Sequence, residues 1–184
     1  IGGLKKNAEF KGTLPEPDVK FEYGSVADTN LVILRETYKL DSVAGNGTEL
    51  ERIINLMKWV HSLAKHDANP QWPKTKNALN LIDICLNEHR ALDCYMHSII
   101  LNEVYLSMGF HSRFIHLWFI YTSDSHVVNA VYAKSINKWI MMDSDNRAYC
   151  MDEDGNILSI PEIRKRLINK EKILKIEFPN DLPG

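Results

Sequence analysis

Residues 93–113 read DCYMHSIILNEVYLSMGFHSR, and they mark the point where the predicted secondary structure changes from helical to extended. Asp93 is a favourable N-cap, and the apolar residues after it suit a helix that runs to Met108. Gly109 can adopt the left-handed conformation that commonly ends a helix. Beyond Gly109 the apolar period changes from about 3.6 to about 2 residues. The stretch therefore predicts a helix that is followed at once by a β-strand.

Helices are predicted mainly before this stretch and strands mainly after it. The best-signalled helix begins with the capping box Thr48-x-x-Glu51. The upstream elements are an irregular lead-in over 1–27 with a short strand at 19–23, and helices over 28–38, 48–66 and 77–89. The downstream elements are strands over 113–121, 126–134, 139–143, near Tyr149 and over 172–178, and a helix over 159–168. This order predicts an α+β fold, with a helical N-terminal half packed on an antiparallel β-sheet.

Composition narrows the classes of protein to which the chain can belong. The 184 residues suit a single domain over 1–184, and 45% hydrophobic with 25% charged residues is typical of a globular protein. A formal net charge of −2 leaves no basic excess for a nucleic-acid partner. No apolar run reaches the roughly 20 residues of a membrane span. The compartment stays open, although a chain that begins at Ile1 without an initiator Met indicates a processed or trimmed N-terminus and slightly favours a secreted or periplasmic protein.

Cys94 is the candidate nucleophile. Three cysteines cannot form a complete disulfide framework, and we interpret Cys85 and Cys150 as inert. Cys94 follows Asp93 at the first position of the predicted helix, where the helix dipole and unpaired N–H groups favour a thiolate. The negative charge of Asp93 partly opposes this effect. A thiolate nucleophile also needs a base and a group that orients the base.

His126 and Asp143 are the candidate base and orienting group. Side chains alternate along a strand, which predicts that both lie on the same face of the sheet. A turn over 134–135 would place His126 directly opposite Asp143. A turn over 136–137 would instead place Asp143 opposite Ala130, about 13 Å from His126 at ~3.3 Å per residue. We expect the first register, or a bulge with the same result.

Five positions of the chain resemble the core of the transglutaminase-like superfamily. In order, they are Cys94, Gly109, Arg113, His126 and Asp143. As in that family, a Cys opens a helix, a Gly and an Arg follow 15 and 19 residues later, and a His and an Asp lie on adjacent strands. The resemblance implies a papain-like fold and triad, in which Cys94 is the nucleophile, His126 the general base and acid, and Asp143 the group that orients the imidazole.

The resemblance covers roughly residues 48–168 and departs from the family pattern at one position. Leu92 stands two residues before Cys94, where the family commonly has Gly. An acyl-transfer site needs two donors for the oxyanion, and the backbone N–H of Cys94 is the natural first one. Gln71 and Trp72, in the loop before the helix of the nucleophile, are candidates for the second donor or for contact with substrate.

Three functions remain open under this resemblance. Hydrolysis of a peptide or amide bond through a Cys94 thioester is the default, since no site that would concentrate an amine is visible. A protein-glutamine gamma-glutamyltransferase would transfer the acyl group to an amine instead. A binding module that keeps the fold without activity is the third, because Leu92 could narrow the approach to Cys94. The expected partner is a peptide, protein or amide substrate, and the oligomeric state stays open.

A zinc site is a competing interpretation of the same residues. Cys94-x-x-His97 has the spacing of a ligand pair, and His126 and Asp143 could complete a tetrahedral set. No second Cys or His pair at metal spacing is present, so we expect neither a metal nor a cofactor. The remaining histidines are interpreted as packing or surface residues: His61, His66, His89, His111 and His116.

Overall fold

The computed structural model describes residues 22–118 and 125–178. Its six α-helices are α1 (Thr29–Thr37), α2 (Leu40–Ala44), α3 (Glu49–His61), α4 (Ala78–Glu88), α5 (Cys94–Ser107) and α6 (Ile160–Asn169). Its strands are β1 (Ser112–Trp118), β2 (Ser125–Ala133), β3 (Lys138–Met142), β4 (Ala148–Met151) and β5 (Leu174–Glu177). Helices dominate the first half of the described chain and antiparallel strands the second, which confirms the predicted α+β class.

Five helices begin at capping residues that the sequence signals, among them α5 at Asp93. The side chains of Asp28, Thr48, Asn77 and Ser159 each accept a hydrogen bond from a backbone N–H in the first turn of their helix. Thr48 also forms the predicted reciprocal capping box with Glu51. In the described part of the chain, no helix combines the length and the apolar character needed to cross a bilayer.

Helix α5 lies at the centre of the molecule and carries Cys94 at its first position. It packs against α1, α3 and α4 and also against β1 and β2, so its residues are apolar around most of the helix. The Ser98 hydroxyl donates to the Val127 carbonyl at 3.0 Å, and the Asn129 amide donates to the Ser98 carbonyl at 3.0 Å. These buried bonds hold the first turns of α5 against the start of β2. Gly109 follows α5 with φ +79°, as a left-handed end to the helix requires.

The strands form two antiparallel sheets. One has the order β1-β2-β3, and the other consists of β4 and β5. The connection from β2 to β3 is a 3₁₀ turn over Lys134–Ile136 followed by Asn137, which is left-handed with φ +50°. Of the predicted strands, 19–23 and the end of 113–121 extend outside the described residues.

Helix α3 ends at His61, so the prediction that it continues to residue 66 is wrong. The backbone beyond it pairs with Leu92 instead: Leu92 N donates to the Lys65 carbonyl at 3.0 Å, and Asp67 N donates to the Leu92 carbonyl at 2.8 Å. This parallel bridge between His66 and Leu92 requires extended backbone, which a helix cannot supply. It brings residues 65–67 beside the segment that enters α5.

Candidate active site

The Cys94 thiol lies at the N-terminus of α5 and is partly exposed. Asp93 caps this helix, with its carboxylate accepting from Met96 N at 2.7 Å. Burial raises the pKa of Cys94 above its ordinary value, and the charges of Asp145 and Asp93 raise it further, against hydrogen bonds from the Val127 and Tyr95 backbones. The helix terminus alone therefore does not produce the thiolate expected from the sequence, and a neighbouring base is needed.

His126 and Asp143 form a hydrogen bond of 2.8 Å between Nε2 and Oδ2. This bond, with the charge of Asp143, raises the pKa of His126 against the effect of burial. Burial would raise the pKa of Asp143, but the hydrogen bond and charge of His126 and the bonds from Asn146 hold it below its usual value. Asp143 is thus ionised beside the imidazole and stabilises the imidazolium that forms when His126 accepts a proton.

The register between β2 and β3 differs from both registers considered from the sequence. Ala130 pairs with Met141 and Asn129 with Met142, because the connection includes a 3₁₀ turn and a left-handed residue. Continuing this register puts Asp143 beside Val128, two residues from His126 on the same face. Diagonal neighbours of this kind remain within reach of longer side chains. The predicted shared face is correct, the predicted register is wrong, and no bulge is needed to form the bond.

Asn146 completes the contacts of Asp143 and has no counterpart in the sequence interpretation. Its side-chain amide donates to Asp143 Oδ2 at 2.9 Å and lies 3.3 Å from His126 Nε2, while its backbone N–H donates to Asp143 Oδ1 at 3.0 Å. Both carboxylate oxygens are therefore held from one short turn. The polar run from Asp143 to Asn146 is the feature of the sequence that could have indicated this turn, because Asn and Asp favour turns.

The same turn also holds histidines that the sequence offered no partner for. His66 Nδ1 lies 2.8 Å from Asp145 Oδ1, and His61 Nδ1 lies 2.9 Å from the Ser144 carbonyl. His66 is exposed and His61 is partly buried, which agrees with their interpretation as packing or surface residues, and each also has a hydrogen-bond partner. Their partners lie about 80 residues away along the chain, a separation at which sequence spacing carries no information.

His97 lies one turn after Cys94 and is 1% exposed. Its Nε2 is 4.0 Å from Asp145 Oδ1, and burial lowers its pKa to about 4, so the ring is neutral near pH 7. Among the described residues, no group of three or more His, Cys, Asp or Glu side chains has an arrangement suited to a metal ion.

A cavity of about 720 Å³ brings the candidate residues to one surface. Cys94 and His126 both line it, together with Asn146, His66, Tyr95 and His116. Asp93 and Asp145 are also among the residues that line it. A molecule bound in this cavity can therefore contact the thiol, the imidazole and several further polar groups at the same time.

Gln71, Trp72 and Leu92 lie outside the lining of this cavity. The Gln71 carbonyl accepts a hydrogen bond from Arg90, and the Trp72 ring lies 5.5 Å from the ring of Tyr95. Leu92 is 1% exposed and packs in the hydrophobic core. Its bulk is accommodated there. The role of Gln71 or Trp72 at an oxyanion stays a prediction.

The hydrogen bond between His126 and Asp143 predicts a pH-dependent stability. Because the folded-state pKa of His126 is raised, the bond stabilises the protein fully below the unfolded pKa of about 6.5, and this contribution is lost as pH rises through the folded pKa. We expect His126→Gln to lower the free energy of unfolding more at about pH 5.5 than at about pH 9. Urea denaturation at both values measures this, with the exposed His89→Gln as control, and equal losses for His126→Gln would contradict the charged pair.

Comparison with known proteins gives one similarity, at the level of the fold. No family model matches the sequence, and no curated protein matches it. Among solved structures, a chain from Cytophaga hutchinsonii described as a "putative cysteine protease" superposes with a TM-score of 0.50 and 12% sequence identity. The match covers 93% of this chain, which spans 61% of that one. The likeness agrees with the papain-like α+β arrangement expected from the sequence.

Proposed function

We propose that the protein is a thiol-dependent enzyme that hydrolyses a peptide or amide bond through a thioester on Cys94. The observation that carries the proposal is that Cys94 and His126 line one cavity while His126 is hydrogen-bonded to Asp143. A nucleophile, a base and a group that orients the base are the parts that covalent catalysis of this kind requires. The description of the structural neighbour agrees with this chemistry.

In the first half of the reaction, His126 takes the proton of the Cys94 thiol. Its Nε2 is engaged by Asp143, so Nδ1 is the nitrogen assigned to this transfer. The sulfur attacks the substrate carbonyl, and the backbone N–H of Cys94 donates to the oxygen on which charge develops. His126 then gives its proton to the departing amine, which leaves the acyl group on Cys94 as a thioester.

In the second half, His126 takes a proton from water, and the resulting hydroxide attacks the thioester. The carboxylic acid leaves, and the proton returns from His126 to the sulfur. Asp143 stays ionised throughout and stabilises the imidazolium that forms in each half, in agreement with its lowered pKa. Asn146 holds Asp143 in place from the same turn.

Transfer to an amine is the second candidate, and the two acidic residues that line the cavity favour it. Asp93 and Asp145 could attract the ammonium group of an acceptor. A peptide that contains glutamine, incubated with and without a primary amine, distinguishes the two reactions. Hydrolysis releases ammonia or cleaves the peptide in the absence of the amine, whereas transfer yields an amine adduct at a faster rate than either.

Alkylation by iodoacetamide at varied pH tests the enzyme against the inactive binding module. We expect Cys94 to react at pH 7 faster than Cys85, whose pKa burial raises to about 11, and faster than Cys150. His126→Ala should slow alkylation of Cys94 at pH 7 by about tenfold or more, because the thiol then has a raised pKa and no base. Peptide mapping by mass spectrometry reads all three thiols in one sample.

The binding module makes the opposite prediction for this experiment. A Cys94 that reacts no faster than Cys150 at any pH, with a rate that His126→Ala does not change, would contradict the enzyme. His89→Ala is the matched control, since His89 is exposed and lies at the end of α4.

A further inference from the structure

An aromatic stripe runs from the cavity across β1. It consists of Trp72, Tyr95, Phe114, His116 and Trp118, in which each ring lies within 6.2 Å of another member. Phe114, His116 and Trp118 alternate along β1, so their side chains share one face of the strand. The stripe is thus a single connected surface.

Exposed aromatic side chains are concentrated in this stripe. Trp72 is 36% exposed, Phe114 37% and Trp118 68%, and these are the three exposed Trp and Phe side chains within 22–118 and 125–178. The other large exposed apolar residues in those ranges are aliphatic and lie elsewhere: Val26, Ile33, Leu86, Ile136 and Leu167. A contiguous exposed apolar surface of this kind commonly marks a binding site.

The stripe is continuous with the candidate active site. Tyr95 and His116 belong both to the stripe and to the wall of the cavity that contains Cys94. Tyr95 follows Cys94 directly on α5, and its ring lies 5.2 Å from those of Phe114 and His116. A substrate that reaches the thiol therefore also reaches the aromatic rings.

The positive charge of Lys76 at one end of the stripe disfavours a cationic substrate side chain there. The Lys76 ammonium lies 4.6 Å from the centre of the Trp72 ring, and its cation–π contact occupies that end of the surface. A cationic substrate side chain would meet this charge, whereas an aromatic or large aliphatic one would bury apolar area without that repulsion.

β1 also offers backbone hydrogen-bonding groups beside these rings. It is an edge strand of the β1-β2-β3 sheet as far as the described residues show. An extended peptide can pair with such an edge and place alternate side chains on one face of it. This geometry suits a peptide chain, with one of its side chains lying on the stripe.

We propose that the stripe is a substrate subsite that receives an aromatic or large aliphatic side chain next to the scissile amide. The proposal rests on the proposed function for its setting, but the subsite can be tested by binding alone. In this proposal, Phe114 and Trp118 determine which substrate side chain is preferred. The backbone of the substrate peptide pairs with the edge of β1.

Binding to the Cys94→Ala protein tests the subsite without turnover. The probes are blocked peptides of equal length that differ at one position, which is Phe, Leu, Ser or Lys, and fluorescence anisotropy measures their affinity. We expect the Phe peptide to bind at least about tenfold more tightly than the Ser and Lys peptides. Phe114→Ser and Trp118→Ser should reduce this ratio towards one, whereas Leu86→Ser, a change at an exposed residue of α4, should leave it unchanged.

The outcomes separate the subsite from the proposed function. Equal affinity for all four peptides, or a Phe preference that survives Phe114→Ser and Trp118→Ser, would overturn the subsite. Binding of a chito-oligosaccharide but not of the Phe peptide would also overturn it, since aromatic platforms stack on sugar rings as well. A selective Phe peptide that binds but is never cleaved by the wild-type protein would leave the subsite standing and contradict the hydrolase. When Phe114→Ser and Trp118→Ser are each made in the protein that keeps Cys94, alkylation of Cys94 should match the wild type, which shows that the surroundings of the thiol are intact.

Discussion

Cys94→Ala is expected to abolish turnover, by at least about 10⁴-fold in kcat/KM, while the protein still folds. The sulfur forms the bond to the acyl group, and no other side chain can replace it in a thioester mechanism. The change removes one partly exposed atom, so we expect the free energy of unfolding to change by no more than about 1 kcal/mol. Hydrolysis of the best substrate from a peptide screen and thermal unfolding measure the two quantities.

Cys150→Ala is the matched control for this change. Cys150 lies on β4, is also partly exposed and has a pKa raised by burial, but the lining of the Cys94 cavity does not include it. It should retain turnover close to the wild type. Equal turnover in wild type and Cys94→Ala would end the proposed mechanism, and loss in both variants would point to the fold rather than to the nucleophile.

The second large effect is expected at His126 and Asp143. His126→Ala should lower kcat by about 10³-fold to 10⁴-fold, because both proton transfers depend on the imidazole. Asp143→Ala should leave a higher residual rate, since the base remains and only its orientation and charge partner are lost. The pH profile of kcat/KM distinguishes loss of the charge partner from a structural effect. In Asp143→Ala the acid limb of the profile should move to lower pH, because Asp143 raises the pKa of His126.

Asp154→Ala provides the comparison for Asp143→Ala. Asp154 is an exposed aspartate in the turn before α6, and its replacement should leave both the rate and the pH profile unchanged. If Asp143→Ala lowered the rate without moving the acid limb, Asp143 would have a structural role and the triad assignment would fail for this residue.

The elements that the sequence predicts well are those whose signals are local. The capping box of Thr48 and Glu51, the cap at Asp93 and the left-handed Gly109 involve residues within one turn of each other, and all three occur in the structure. Helix ends without such a signal are predicted less well. α3 ends at His61, and the backbone around His66 pairs with Leu92 instead of continuing the helix. No residue near His61 indicates this pairing.

In the candidate site, too, the features with local signals are predicted correctly, and those set by the turn geometry or by distant residues are not. Strand alternation correctly placed His126 and Asp143 on one face, because it depends only on the spacing of side chains. Their register depended on a turn whose 3₁₀ residues and left-handed Asn137 were not anticipated. Asp145 was missed altogether, because its partner His66 comes from a distant part of the chain.

By itself, the sequence determined the α+β order of elements, the start of α5 at Cys94 and the shared face of His126 and Asp143. These follow from caps, periodicity and alternation, which act between neighbouring residues. Only the tertiary structure decided which groups surround the thiol: Asn146 on the carboxylate of Asp143, Asp145 and its histidines, and the stripe of rings beside the cavity. Those contacts join segments that are remote along the chain, and packing of the core brings them together.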